Sequence, residues 1–470
     1  MAADLVLKNG LVVTGQRVLR GGVAVSDGRI AAVGADDELP RGARREIDVE
    51  GRVLFPGMFD PHTHLGSGDS RSYEAMSESF ARDSKDCLIG GVTTIASTTV
   101  LGDDPLPVAY EKSVEAGAGR SHVDFKITCV VTREHHTGEV GAAIERGCTS
   151  LKFYTGYCGC LAEKMGMNPE GIPPAMFYRA CENVVASGRR PLMMIHAEEP
   201  TVRFMLADRF AEQGRDSLLD WAAHSPDWAE SVQVYQYGVI THELGLPLYV
   251  VHISRAHTID FLVGLQAQGY DIIGETCVGF LSTTAEELHQ RGVRLYGKIQ
   301  PPIRHEADQQ RLWRALREGV VTAIGTDTIP YTSKYKKDLP FWEARPGLNI
   351  QTLDSMSLLL TEGLHRGRID WVTLARTTSE GPARHFGLYP QKGALEVGCD
   401  ADVLVVDPHA ELELGVERSL GGNDYSIWQG KKALGRVDMT FLGGELVAQD
   451  GQIVGEPRGK HVTRAPGSTR

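Results

Sequence analysis

No apolar stretch of this 470-residue chain approaches the roughly 20 residues that cross a bilayer. The opening Met1-Ala2-Ala3-Asp4 also lacks the basic-then-apolar pattern of a secretory signal. A cytoplasmic protein with no membrane partner is the expectation. A basic excess is missing too: 49 lysines and arginines face 61 aspartates and glutamates, a formal net charge of −12, with no long run of either sign. Nucleic acid is therefore not an expected partner, because it is held through cationic surfaces that release counterions. The eight cysteines stand at irregular spacings, and only Cys158 and Cys160 are close. That spacing supplies neither a disulfide framework nor, without a second cysteine pair, a thiolate metal site. What remains is an ordinary globular composition, 42% hydrophobic and 23% charged. The length suits a barrel of about 250 residues or more with a satellite domain.

Glycine turns organise both ends. Residues 4–54 alternate in short apolar and polar steps broken by Asn9-Gly10 and Asp27-Gly28, the mark of antiparallel strands joined by hairpins. The same texture returns at 401–407, 437–444 and 450–454. Neither set of strands is large enough to stand alone, so the two are expected to pair into one discontinuous β-sandwich. Residues 1–54 give its first part and 391–456 its second, followed by a basic tail at 457–470 that is either an arm on a neighbouring subunit or disordered. Between them, residues 55–390 carry strand-length apolar runs at 53–59, 92–97, 123–131, 150–154, 191–195, 247–251, 270–274 and 320–325, separated by helical stretches. Eight strands alternating with helices describe an α/β chain folded as a (β/α)8 TIM barrel.

The polar residues at the ends of these runs carry the chemistry. His62 and His64 follow the first, in Asp60-Pro61-His62-Thr63-His64. Lys152 lies in the fourth, His196 follows the fifth, His252 the sixth and Asp327 the eighth. In a barrel the carboxyl ends of all strands face one rim, so these six residues converge. Residues two apart on a strand share a face, which lets His62 and His64 close on one ion. Each residue has an ordinary reading alone: a satisfied core histidine, a helix-capping aspartate, a surface lysine. Their order along five strands favours a metal site.

Imidazole and carboxylate suit Zn²⁺, the expected ion, with Mn²⁺, Co²⁺ and Fe²⁺ as alternatives. The ligands outnumber those of one catalytic zinc, which points to two divalent metal ions about 3.5–4 Å apart. An ammonium at Lys152 beside two dications is strongly disfavoured. Addition of CO2 to its neutral amine instead gives a carbamate, an anionic bridge between the ions.

This order of ligands resembles the amidohydrolase superfamily, in its binuclear subtype with a carboxylated lysine. Finer motifs are similar to the dihydropyrimidinase and hydantoinase branch: Lys152-Phe153-Tyr154-Thr155-Gly156-Tyr157, His196-Ala197-Glu198, Gly274-Glu275-Thr276-Cys277, Pro301-Pro302-Ile303-Arg304 and Asn423-Asp424-Tyr425-Ser426. The resemblance implies hydrolysis of a small cyclic amide, such as a dihydropyrimidine, hydantoin or related imide, by attack of a metal-bridging hydroxide. The product is an N-carbamoyl amino acid or half-amide. It further implies that His62 and His64 bind one metal with Asp327, that His196 and His252 bind the other, and that Lys152 bridges. Asp327 shuttles the proton and Tyr157 donates a hydrogen bond to the developing oxyanion. Homotetramers or dimers are the implied assembly.

Departures from the family pattern fall where the ring is chosen. Gln300 replaces a serine whose backbone holds the substrate ring, Glu343 replaces a ring-contacting asparagine, and Thr328 replaces histidine or asparagine. The loop Gly66-Ser67-Gly68-Asp69-Ser70-Arg71-Ser72-Tyr73 is polar where apolar residues accompany bulky aromatic substrates. A smaller or more polar substituent, paired with Arg71, is expected. Two other readings stand beside the main one: a hydrolase of allantoin, dihydroorotate or another lactam or imide, and a non-catalytic scaffold of dihydropyrimidinase type. Retention of all six ligands argues against the scaffold. Tyr157 argues against the allantoin and dihydroorotate enzymes, which do not usually carry it.

Overall fold

The computed structural model describes residues 3–65, 71–347 and 351–463, apart from the side chains of Cys160 and Lys164. The chain begins with β1 (Leu5–Val13), β2 (Val18–Ser26), β3 (Arg29–Gly34), β4 (Arg45–Asp48) and β5 (Val53–Pro56). Eight strands then alternate with helices: β6 (Met58–Thr63), β7 (Val92–Thr98), β8 (Asp124–Val130), β9 (Ser150–Phe153), β10 (Leu192–Ile195), β11 (Leu248–Val250), β12 (Ile272–Cys277) and β13 (Val321–Gly325). The chain closes with β14 (Val403–Glu413), β15 (Lys432–Leu442), β16 (Glu445–Gln449) and β17 (Gln452–Ile453).

Strands β6 to β13 form one parallel eight-stranded sheet in sequence order. The sheet curls until its two edges meet, where the Asp327 amide donates to the His62 carbonyl at 2.9 Å and the His64 amide to the Thr328 carbonyl at 2.9 Å. This is the (β/α)8 barrel that the eight apolar runs predict. Every residue of β7 and β8 is buried, as helices on one side and a filled interior on the other require.

The two chain ends meet in a nine-stranded, mostly antiparallel sheet of order β17-β16-β15-β14-β5-β1-β2-β3, with β4 on β1. Leu5, Leu7, Val23 and Val25 from the start of the chain pack with Val403, Val405 and Phe441 from its end. Such a core exists only when both pieces are present. Lys392 fastens this sheet to the barrel, its buried ammonium contacting Asp124 at the start of β8, Asp402 at 2.9 Å and Asp400 at 3.1 Å.

Two expectations are corrected. The apolar run 53–59 is two strands, because Gly57 breaks it: β5 pairs with β14 in the outer sheet, and only β6 enters the barrel. Residues 459–462, placed by the sequence in the tail, also pack on the protein's own fold. The Phe125 amide donates to the Lys460 carbonyl at 2.9 Å, and the Val462 amide to the Phe125 carbonyl at 2.9 Å, so this stretch lies along the foot of its own β8. Among the described residues no helix is long and apolar enough to cross a membrane.

Candidate metal centre and substrate cavity

The six singled-out residues meet at the carboxyl rim of the barrel. The Nε2 atoms of His62 and His64 are 3.1 Å apart, and Oδ1 of Asp327 lies 2.9 Å from Nε2 of His64 and 3.5 Å from Nε2 of His62. Nζ of Lys152 stands 3.2 Å from Nε2 of His62. The rings of His196 and His252 pack edge to face with centroids 4.5 Å apart, and His252 lies 5.4 Å from His62. All six side chains are buried. Two of them sit on left-handed backbone, His252 at φ 42° and Asp327 at φ 54°. Non-glycine residues seldom hold that conformation, and it is found preferentially where a side chain must be aimed at a site.

Carboxylates and hydroxyls orient these groups from behind. Oε1 of Glu275 lies 3.2 Å from Nδ1 of His62 and accepts the His252 amide at 3.2 Å, while Oε2 accepts the Tyr249 hydroxyl at 2.8 Å. Nδ1 of His64 meets Thr98 Oγ1 at 3.0 Å and the Tyr154 hydroxyl at 3.3 Å. Asp60 accepts the amides of His62 and Thr326, each at 3.1 Å, which ties the first barrel strand to the segment bearing Asp327. Behind His196 lies Glu198, which receives Gln300 and Ser225 and has Arg203 at 3.3 Å and Arg304 at 3.7 Å. Gly156 is required here, because a Cβ on it would come within 2.4 Å of the His196 ring.

Burial sets the protonation of the cluster. It holds His62 and His252 well below the usual imidazole range, with Lys152 adding to the effect on His62 and His196 on His252. Neutral imidazoles are the form that ligates a metal. Burial would raise Asp327, but His62 and His64 outweigh it and keep its carboxyl below the usual value. Lys152 is lowered by burial to about 8, so its amine is neutral far more often than that of an exposed lysine. Nε2 of His196 is buried with no hydrogen-bond partner, its nearest carboxylate oxygen, on Glu198, lying 3.5 Å away. An unpaired buried nitrogen among ligating groups is what a metal site presents before it is filled. The donor set therefore fits divalent metals.

Above the cluster opens a cavity of about 890 Å³ whose lining includes His62, His64, His196, His252 and Asp327, with Tyr157, Gln300, Glu343 and Arg71 on its walls. Lys152 lies beneath that surface. The Tyr157 ring packs 4.8 Å from His196, and burial raises its phenol far above the usual value, so it stays protonated. Gln300 donates its amide to Glu198, and its own carbonyl oxygen has no partner. Thr328 is engaged with its own chain, its Oγ1 accepting the Gln351 amide at 3.1 Å. Ser67 and the rest of 66–70 lie outside the described residues, as does the side chain of Cys160.

A model of the amidohydrolase family matches residues 53–447. The chain belongs to the amidohydrolase family. Among curated relatives, this amidohydrolase is 28% identical to a D-hydantoinase of Ralstonia pickettii, over 98% of this chain and 99% of that protein. It is 29% identical to an allantoinase of Rubrobacter xylanophilus, over 96% and 97%. Among solved structures, the L-hydantoinase (dihydropyrimidinase) of Arthrobacter aurescens superposes with a TM-score of 0.88 at 25% identity, over 98% of this chain and all of that one. The family implies a binuclear metal centre, in keeping with the donor set.

Several residues that shape this amidohydrolase's site carry no signal in the sequence. Lys298 and Tyr331 stand in no motif, no motif assigns a role to Tyr249 or Arg345, and all four reach the site only through the fold. Glu275 falls within a quoted motif, but its place as the partner of His62 follows from distance alone. Nζ of Lys298 donates to the carbonyls of Phe341 at 2.6 Å, Trp342 at 3.2 Å and Ala344 at 2.8 Å, and lies 4.3 Å from the Trp221 ring. It pins the wall segment that carries Glu343.

Proposed function

We propose that this amidohydrolase opens a cyclic amide, a dihydropyrimidine, hydantoin or related imide, by hydrolysis of a ring C–N bond to an N-carbamoyl amino acid or half-amide. The observation that carries the reading is the meeting of His62, His64, His196, His252 and Asp327 around buried Lys152 at the floor of one cavity. Two divalent ions, zinc by the chemistry of the donors, would be held by His62 and His64 with Asp327 and by His196 and His252. Addition of CO2 to the neutral amine of Lys152, with loss of a proton, would give a carbamate, an anionic oxygen donor that would complete the set for both ions. When bound, the metal pair supplies Lewis acidity that polarises the amide carbonyl and acidifies water. Asp327, kept ionised, takes the proton of the attacking water and returns it to the departing nitrogen. Tyr157, kept protonated, donates to the oxyanion as it develops. Gln300 and Glu343 contact the ring, and the walls exclude water.

A second reading, hydrolysis of allantoin, is favoured by the full-length similarity to an allantoinase at the same level of identity. One experiment separates the two. Purified enzyme loaded with zinc and bicarbonate is assayed on dihydrouracil, hydantoin and allantoin, with a chelator control. Chelator-sensitive opening of the first two supports the main reading, and opening of allantoin alone supports the second. A protein without bound divalent metal and without chelator-sensitive activity would instead be a scaffold.

The proposal includes a cytoplasmic enzyme that assembles with copies of itself as a tetramer or dimer. None of the described cysteines is in a disulfide, which supports a reducing compartment. Exposed Tyr178, Val185, Trp228, Val232 and Tyr235 on adjacent outer helices supply apolar surface for assembly. Light scattering of the purified protein tests it, a monomer being the contrary result.

A further inference from the structure

The cavity has a second chemical feature, away from the metal cluster. Arg71, half-buried, and Arg345, exposed, both line it. They come from the segments after the two strands that meet where the barrel closes: Arg71 precedes the helix Tyr73–Ile89 that follows β6, and Arg345 lies after β13, in the segment pinned by Lys298. Arg345 lies 5.9 Å from the Tyr331 ring and 4.3 Å from the Tyr335 ring. Arg71 extends toward Gly166, just past Leu161 and Met165 of the apolar wall, with Nη1 3.6 Å from where a Cβ on that glycine would sit. Burial raises the Tyr331 phenol and both guanidinium charges oppose the rise, so the two act on one side chain. Tyr331 lines the same cavity as Tyr154 and Tyr157.

Among the described residues neither arginine is in an ion pair, in contrast to buried Arg203 and Arg304 of the same region, which are held by Glu198. The cavity carboxylates other than Asp327, Asp208 and Glu343, make no ion pair with either arginine. A guanidinium offers paired donors that match a carboxylate. With Asp208 and Glu343 on the same walls, a singly charged group suits the cavity better than a dianionic phosphate.

We propose that the ring opened by this enzyme carries a carboxylate on a short stem, received by Arg71 and Arg345 while the ring amide lies over the metal cluster. The stem passes the apolar side chains of Leu161 and Met165. This deepens the ring-opening reading and rests on it.

The test compares kcat/KM of the zinc-loaded enzyme for hydantoin-5-acetate, for its neutral isostere hydantoin-5-acetamide, and for unsubstituted hydantoin and dihydrouracil. The acetate is expected to exceed the acetamide by at least about tenfold, the worth of one charge-assisted contact. That ratio is expected to fall toward one in Arg71→Gln and in Arg345→Gln. Raising ionic strength is expected to raise KM for the acetate and not for the acetamide, a readout that needs no variant. A wild-type ratio of one or below, with the neutral rings opened, overturns the carboxylate and leaves the ring-opening reading intact. Failure to open any of the four rings overturns both.

Discussion

In the folded chain Nζ of Lys152 lies 3.2 Å from Nε2 of His62, although 90 residues separate them in sequence. The lysine is fully buried, with the carboxylates of Asp327 and Glu275 acting on it from nearby. On the function proposed above, addition of CO2 to the neutral form of this amine would turn an obstacle to metal binding into a ligand.

Lys152→Ala is expected to lose bound metal and to reduce activity by more than the roughly 10–100-fold typical of outer-sphere changes. Acetate or propionate should restore part of both by occupying the vacated space as a carboxylate. Metal content by atomic emission and ring-opening rate with and without the acid check this. Full metal content and activity in the unsupplemented variant would refute the bridge.

Tyr157→Phe keeps the ring against His196 and removes only the hydroxyl. If that hydroxyl donates to the oxyanion, kcat falls by about 10²–10³ with little change in KM. Steady-state kinetics decide it, and a purely steric role would leave kcat within a few-fold of wild type.

Lys298→Met leaves three carbonyls of the segment 341–344 without their donor and removes the ammonium from the Trp221 ring. A loss of about 3 kcal/mol of stability is expected, together with a raised KM as the wall bearing Glu343 and Arg345 loosens. Urea unfolding and kinetics measure the two effects. An unchanged midpoint would show that the ammonium is not what holds the segment.

Asp86 ties the helix Tyr73–Ile89 to the returning chain, accepting the Ser419 hydroxyl at 2.5 Å and the Leu420 amide at 2.8 Å. Burial raises its carboxyl to about 6, above its unfolded value of about 3.9. Between these values the folded state binds more proton than the unfolded one, so this group makes stability fall as pH rises from about 4 to 6. Asp86→Asn should flatten that part of the stability profile. Urea midpoints of both proteins at pH 4, 5 and 6 test it, and parallel profiles would contradict it.

The meeting of the six candidate ligands was readable in advance because a barrel converts strand order into position: residues at a strand's carboxyl end reach the common rim. His196, one residue after β10, and Asp327, two after β13, need only the strand to be recognised. The boundary at Gly57 was less legible, because the apolar run of β5 continues into Met58 and Phe59 and only their partners distinguish an outer-sheet strand from a barrel strand. The fate of 459–462 was hidden for a similar reason. Its amides pair with β8, and backbone pairing leaves little trace in side-chain pattern.

The sequence by itself determined the class of fold, the identity of the six side chains that meet at the rim and their spacing along the chain, since hydrophobic periodicity and residue type are local properties. Tertiary structure alone decided the rest. It brought Glu275 behind His62, Lys298 beneath the wall of Glu343, and Arg71 and Arg345 to one cavity. Each pairing joins segments far apart in the chain, and only the closure of the barrel fixes the distances on which hydrogen bonds and charges act.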